Sequence, residues 1–435
     1  MMTPSLQAEA AQQLCGSTAA KLADYYTDAL GFGWLRRPDK LANPLLDFSE
    51  LLRQDDRLVA ALAALHYLGE PARAHMQALL KEPLRRGGMF ALAAYALTVN
   101  DTSLFDAAVA VSTAIPELQA PLCDAICWAP ATPQLEAAIS TLAPPWRLRA
   151  IALRHNELPG AVERTLAWLR THPAAPADIA AILDLLRQLG DPNLAQASRR
   201  YLDHDTAAVR LAAAHTLLVL VPEARAMALA TLLELATDEQ AAIQEAALRC
   251  LVLHAPASAQ SLLDELAQQP DHARLYLQAL GWAGDPAAIP YLIVRLNDRP
   301  LARVAGAALA LITGSDPARD GWLGSAPARN RPRDAGDASL PFNAADDDLP
   351  WPDADAFTRW WHQQQATFPH GLRYFAGRPL ALPWLHAVLV SGPLPWRPIA
   401  AEHLQGLTGG PLFATSLPAH LQRVRFNMLP EKPAP

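Results

Sequence analysis

Apolar residues recur every three or four positions through most of this chain, the spacing of one face of an α-helix. In residues 205–220 (DTAAVRLAAAHTLLVL), Val209, Ala213, Thr216, Leu217 and Leu220 share one face. Asp205 stands where a helix cap belongs, and the alanines at 212–214 would let a neighbouring backbone approach closely. Thirty-four residues later, 240–253 repeat the pattern, with Ile243 at the place of Val209 and Leu251 at that of Leu217. A second repeat is punctuation. Three amphipathic stretches end in Gly, an acid and Pro: Gly69-Glu70-Pro71, Gly190-Asp191-Pro192 and Gly284-Asp285-Pro286. Gly suits the left-handed position that closes a helix, the acid can cap the next helix, and Pro fits its first turn. A third echo links residues 287–314 with 380–409. Under one constant shift Pro290 meets Pro383, Leu292 meets Leu385, Leu296 meets Leu389, and Leu311 meets Leu404. The pattern therefore predicts short helices in pairs, with one pair recurring after an interruption.

Composition sharpens this picture. The 435 residues hold 87 alanines and 38 prolines, so strong helix formers alternate with frequent helix stops. Such a chain is neither all-β nor compositionally disordered. Its length suggests about three domains at roughly 150 residues each, unless repeats form one array. The V-R-x-A-A-A core at 209–214 and the Gly-Asp-Pro joints resemble HEAT repeats, in the short form seen in bacterial HEAT-like and phycobilin-lyase-type proteins. The resemblance implies an all-α fold, a HEAT-like α-solenoid of stacked antiparallel helix pairs with an extended concave surface. The expected division is an N-terminal helical cap at 1–44 and repeats at 45–314. An irregular polar loop at 315–349 and a Trp-rich C-terminal helical module at 350–435 would follow.

The last part of the chain departs from the repeat rhythm. Residues 315–349 are rich in Asp, Pro, Ala and Arg, with a basic stretch at 329–333 and an acidic run at 346–348, and read as an exposed loop. Aromatic density then rises, and six of the 11 tryptophans lie beyond residue 320. Asp353 is placed to cap a helix carrying Trp360 and Trp361. Trp, Tyr and Arg anchor protein interfaces, and they serve equally well to cover the end of a repeat stack. On the first reading Trp351, Trp360, Trp361, Arg373, Tyr374 and Arg378 form a partner-binding surface; on the second they form a cap. The order Trp360-Trp361, then Gly371, Arg373, Tyr374, Gly377, Arg378 and Pro379, then a helix pair and residues 411–415, resembles a bacterial HEAT-repeat family of unassigned function. Its members tend to be encoded beside type VI secretion genes. The resemblance implies an accessory, adaptor or immunity role, with a secretion-system component or effector as protein partner. It carries over no catalytic residue.

Charge and chemistry narrow the function classes. The formal charge is −7, and residues 1–315 carry the whole excess, because 316–435 hold equal numbers of acids and bases. That field disfavours nucleic acid. Cys15, Cys123, Cys127 and Cys250 form no CxxC pair, which fits a reducing compartment; Cys123 and Cys127 read as buried apolar groups on one helix face. No signal peptide is visible, and the longest apolar run, 89–99, is too short to span a bilayer, so a cytoplasmic protein is expected. The chain lacks GxSxG, P-loop, G-x-G-x-x-G and HExxH motifs, and has no His-Glu dipeptide of the kind used by iron-binding HEAT-repeat hydroxylases. His66, His155, His215 and His254 read as packed or surface residues. Residues 146–149 (Trp-Arg-Leu-Arg) offer only a small version of the aromatic and basic face of HEAT-like DNA glycosylases. No catalytic residue, metal or cofactor is assigned. The sequence thus points to a non-enzymatic protein–protein interaction scaffold, the alternative being a HEAT-like enzyme or a phycobilin-lyase-like chromophore handler.

Overall fold

A computed structural model describes residues 4–132, 134–158, 160, 163, 175–326 and 346–429, with side chains from residue 16 onward. Among the described residues the protein is all-α apart from one two-stranded hairpin and two isolated β-bridges. Among the described residues no helix is long and apolar enough to cross a membrane. The chain packs as two units. One comprises Met1–Leu41, Phe48–Leu185 and Ala414–Met428; the other comprises Ala42–Asp47, Leu186–Phe413 and Leu429–Pro435. The last helix thus belongs with the N-terminal half, and the packing division follows contacts rather than the composition changes near 45, 315 and 350.

The first unit holds α1 (Pro4–Leu35), α2 (Arg37–Ala42), α3 (Phe48–Leu68), α4 (Glu70–Leu79), α5 (Arg86–Val99), α6 (Thr102–Ala114), α7 (Gln119–Trp128), α8 (Gln134–Ser140) and α9 (Pro144–Arg154). Helix α5 packs against α1, α6 and α7, and α7 packs against α9. Residues 89–96 of α5 are buried all round, as an interior helix should be. The returning C-terminal segment is held by polar contacts. Arg37 pairs with Asp55 at 3.0 Å and donates to the Ser416 and Leu417 carbonyls. The same Asp55 accepts the Ala419 amide at 2.7 Å, and Arg425 reaches the Leu153 carbonyl and Glu157.

The division between the units falls within α10 (Pro176–Leu189). The second unit continues with α11 (Pro192–Ala195), α12 (Ala207–Leu220), α13 (Arg225–Leu235), α14 (Ala241–His254), α15 (Pro256–Leu266), α16 (Ala273–Ala283), α17 (Ile289–Arg295) and α18 (Ala302–Thr313). After them come α19 (Ala354–Gln364), the hairpin β1 (Tyr374–Phe375) and β2 (Arg378–Pro379), α20 (Leu382–Ser391) and α21 (Trp396–Thr408). Helix α22 (Ala419–Arg425) closes the first unit. Successive helices from α12 to α16 pack on their neighbours, α17 packs on α18, and α12, α14, α16 and α18 also meet in series. The face read from 205–220 is the buried one: Val209, Ala213, Thr216 and Leu217 are fully covered. The echo across the interruption is real at the level of packing, since α17 with α18 and α20 with α21 are both helix pairs with Leu292, Leu385, Leu311 and Leu404 buried.

Local chemistry confirms some expectations and corrects others. All three joint glycines take positive φ, 60° at Gly69 and 69° at Gly190 and Gly284. Gly284 admits no side chain, because a Cβ there would lie 2.1 Å from the Tyr374 carbonyl oxygen. Asp191 and Asp285 cap the following turns, accepting the amides of Asn193 and Ala287 at 2.8 and 2.9 Å. Glu70 does not cap. It begins α4, with Gly69 at the cap position, and its longer side chain leans toward Arg73 at 3.9 Å. Asp205 does not cap either: Thr206 holds that place, and its amide donates to His204 Nδ1. In the polar loop, residues 329–333 lie outside those described, but both described flanks are anchored. Trp322 is 1% exposed against Phe357, buried Asp346 pairs with Arg274 at 2.7 Å, and Asp347 pairs with Arg303. A single large apolar ring and helix arginines needing counter-charges outweigh the segment's polar composition.

Candidate functional site

The aromatic C-terminal segment is built around one arginine. Helix ends leave their last carbonyls without intrahelical partners. Arg373 donates to four such carbonyls: Val252 and Leu253 at the end of α14, and Trp282 and Ala283 at the end of α16, at 2.9–3.3 Å. The guanidinium thereby joins two helix termini and complements the negative ends of their dipoles. Burial pushes its pKa down to about 10. The hairpin that follows turns at Ala376 and Gly377, both with positive φ. Its Tyr374 amide donates to the Gly284 carbonyl at 2.7 Å, and the Ala376 and Gly377 amides donate to Leu311 and Ile312 at the end of α18. Tyr374 then packs on Phe368, and Phe368 on Trp361.

The six sequence candidates therefore have three fates. Trp361 and Tyr374 are buried in the core with Phe357 and Trp322, and Arg373 is engaged by carbonyls. Trp360 is partly buried on the same cluster, and Trp351 is half-buried beneath Arg303 at 4.9 Å. Arg378 is exposed and stacks over Trp384 at 4.6 Å. These contacts fit the cap reading, with Arg378 left at the edge of the segment.

Arg378 leads to a different feature through Trp384. A cleft of about 490 Å³ opens within the second unit. Trp282, Trp384 and Trp396 wall it, Gly281, Ala307 and Ala308 form a small-residue floor, and Arg274, Ser315, Asp316 and Asp346 lie on its polar side. The floor is small because α16 and α18 cross closely: a Cβ on Gly281 would lie 3.0 Å from the Ala308 Cα. Trp384 is fixed by its Nε1–H, which donates to the Phe375 carbonyl at 2.7 Å. The volume and the apolar lining with a few polar groups are those of a ligand site. Sequence reasoning missed it. Trp384 and Trp396 fall within the Trp-rich C-terminal stretch, but Trp282 lies 102 residues before Trp384, so position in the sequence does not group the three.

Two polar clusters lie elsewhere, one in each unit. In the first unit Asp124 accepts from Trp34 Nε1 at 3.2 Å and Arg149 at 3.0 Å, with Arg149 also over Trp146. Burial raises its pKa despite the arginine. This carboxylate is positioned by two donors and offers no free base. In the second unit the His215 and His254 rings lie 5.6 Å apart, and His403 packs on Phe375. Burial, reinforced by Arg187 at His215 and by Arg373 at His403, holds both below the usual histidine range, and His254 falls to about 3. All three are neutral near pH 7. Cys123, Cys127 and Cys250 are free and buried. Among the described residues no group of three or more His, Cys, Asp or Glu side chains is placed to hold a metal ion. No protein-family model matches the chain, and no curated protein or solved structure matches it either.

Proposed function

We propose that this protein is a non-enzymatic binding scaffold of HEAT-like helix pairs, and that it receives apolar side chains of a protein partner in the cleft of its second unit. One observation carries the reading: the cleft of about 490 Å³ walled by Trp282, Trp384 and Trp396 on a floor of Gly and Ala. Aromatic anchors around a small-residue floor suit an apolar group that must be desolvated to bind. The resemblance to bacterial HEAT-repeat proteins encoded beside type VI secretion genes supports an accessory, adaptor or immunity role, with a secretion-system component or effector as the partner. The test is co-purification from the native host. The wild type should carry a stoichiometric partner, and Ala307→Phe, which fills the cleft, should lose it while keeping its helical circular dichroism. Retention of the partner by Ala307→Phe removes the cleft from the proposal.

A second reading rests on the same volume, which also falls in the range of small-molecule sites. A chromophore or other small apolar ligand in the cleft would show as visible absorbance or as a non-peptide mass released on denaturation. A colourless sample free of such a mass leaves the protein partner as the occupant.

A further inference from the structure

Helix α1 buries one face and leaves the opposite one apolar. Ala23, Thr27, Leu30 and Trp34 point into the first unit. On the other side Leu22 is 39% exposed, Tyr25 64% and Phe32 66%, with exposed Ala29 between them. Positions 22, 25, 29 and 32 follow the three-and-four spacing of a helix–helix seam. No charge interrupts the stripe. Three exposed charges, Lys21, Asp24 and Asp28, run along one flank, while the other flank carries the half-buried Ala19 and Tyr26. Among the described residues Lys21 and Asp28 have no ion-pair partner. Isolated exposed apolar residues are ordinary, but an aligned row of large ones on a helix marks an interaction face.

We infer that a second copy of this chain docks here, the two α1 helices lying antiparallel about a twofold axis that passes between Leu22 and Tyr25. The charges choose this occupant and this direction. In an antiparallel pair the same flank of each helix meets its counterpart, so Lys21 of each copy faces Asp28 of the other, twice by symmetry. A parallel pair would set Lys21 and Asp28 against the uncharged flank of Ala19 and Tyr26. An antiparallel pair slipped by one heptad would set Asp28 against Asp28. The face is therefore complementary to itself in one register. In that register Leu22 of one helix covers Tyr25 of the other at the axis, and Ala29 meets Thr18.

Sedimentation velocity on the full-length chain tests this. The wild type should dimerise at micromolar concentrations, and Phe32→Glu should leave a monomer with unchanged helical circular dichroism, since that side chain faces away from the first unit's core. Lys21→Glu and Asp28→Lys should each weaken the dimer about tenfold, the scale expected when two exposed pairs turn repulsive. The double variant Lys21→Glu/Asp28→Lys should restore wild-type affinity, which a general loss of charge or fold cannot do. A wild type that stays monomeric at high micromolar concentration overturns the inference. So does a dimer indifferent to Phe32→Glu, or a double charge swap that fails to restore association. Recovery of a stable complex with another protein on this stripe, in place of the dimer, also overturns it.

Discussion

The second unit contains two sets of aromatic residues with opposite fates. Phe357, Trp361, Phe368 and Tyr374 come from one short stretch of sequence and vanish into the core. Trp282, Trp384 and Trp396 come from separate helices and line a cleft. Aromatic density between residues 357 and 374 thus marks the place where the fold closes itself, while the open aromatic surface joins Trp384 and Trp396 to Trp282, far upstream in the sequence. The physical cause is the run of bare helix ends at α14, α16 and α18. Their carbonyls require donors, and one segment supplies them through Arg373 and three backbone amides. Large rings beside those donors keep water away from the same ends.

That contrast can be broken from the cap side with the largest effect. Phe357→Ala deletes a fully buried ring and should cost about 3–5 kcal/mol in urea unfolding. Arg373→Met should cost about 3 kcal/mol, because four carbonyls lose their donor. Arg373→Lys should not restore it, since an ammonium cannot span two helix ends with a planar fork. Acid is a milder probe of the same region. A histidine held below its unfolded value of 6.5 contributes its stability above that pH and loses it as pH falls. With His254 near 3, unfolding at pH 5 should be easier by up to about 2 kcal/mol from that residue alone, and His254→Asn should flatten the slope. A urea midpoint independent of pH between 7 and 5 would contradict a neutral, buried His254. The smallest effect belongs to Arg378→Ala, at the exposed edge of the cap, which should change stability by less than about 0.5 kcal/mol.

Much of the fold was legible because it is local. The buried face of α12, the glycine joints and the second helix pair at α20 and α21 follow from spacing alone. Capping was legible only where side-chain length permitted it: Asp191 and Asp285 reach back to the next amides, whereas Glu70 does not. The hairpin was not legible, because its pairing partners are helix carbonyls remote in sequence, such as Gly284 and Leu311. Nor was the return of α22 to the first unit, which depends on Asp55 serving both Arg37 and the Ala419 amide. Residue type picks out the six site candidates, and type alone does not separate Arg373, surrounded by carbonyls, from Arg378, open to solvent. The cleft needed three tryptophans from three helices and a floor set by one close crossing at Gly281.

The central claim is that a partner enters the cleft and does not bind the aromatic cap. Site-specific photo-crosslinking in the native host tests it most directly. The photoreactive residue is placed in turn at Ser391, exposed on the cleft rim, and at Arg359, exposed on α19. Both surfaces are accessible, so both positions report. The account predicts a discrete adduct from position 391, abolished by Ala307→Phe, and none from position 359. An adduct from position 359 with none from 391 would contradict it.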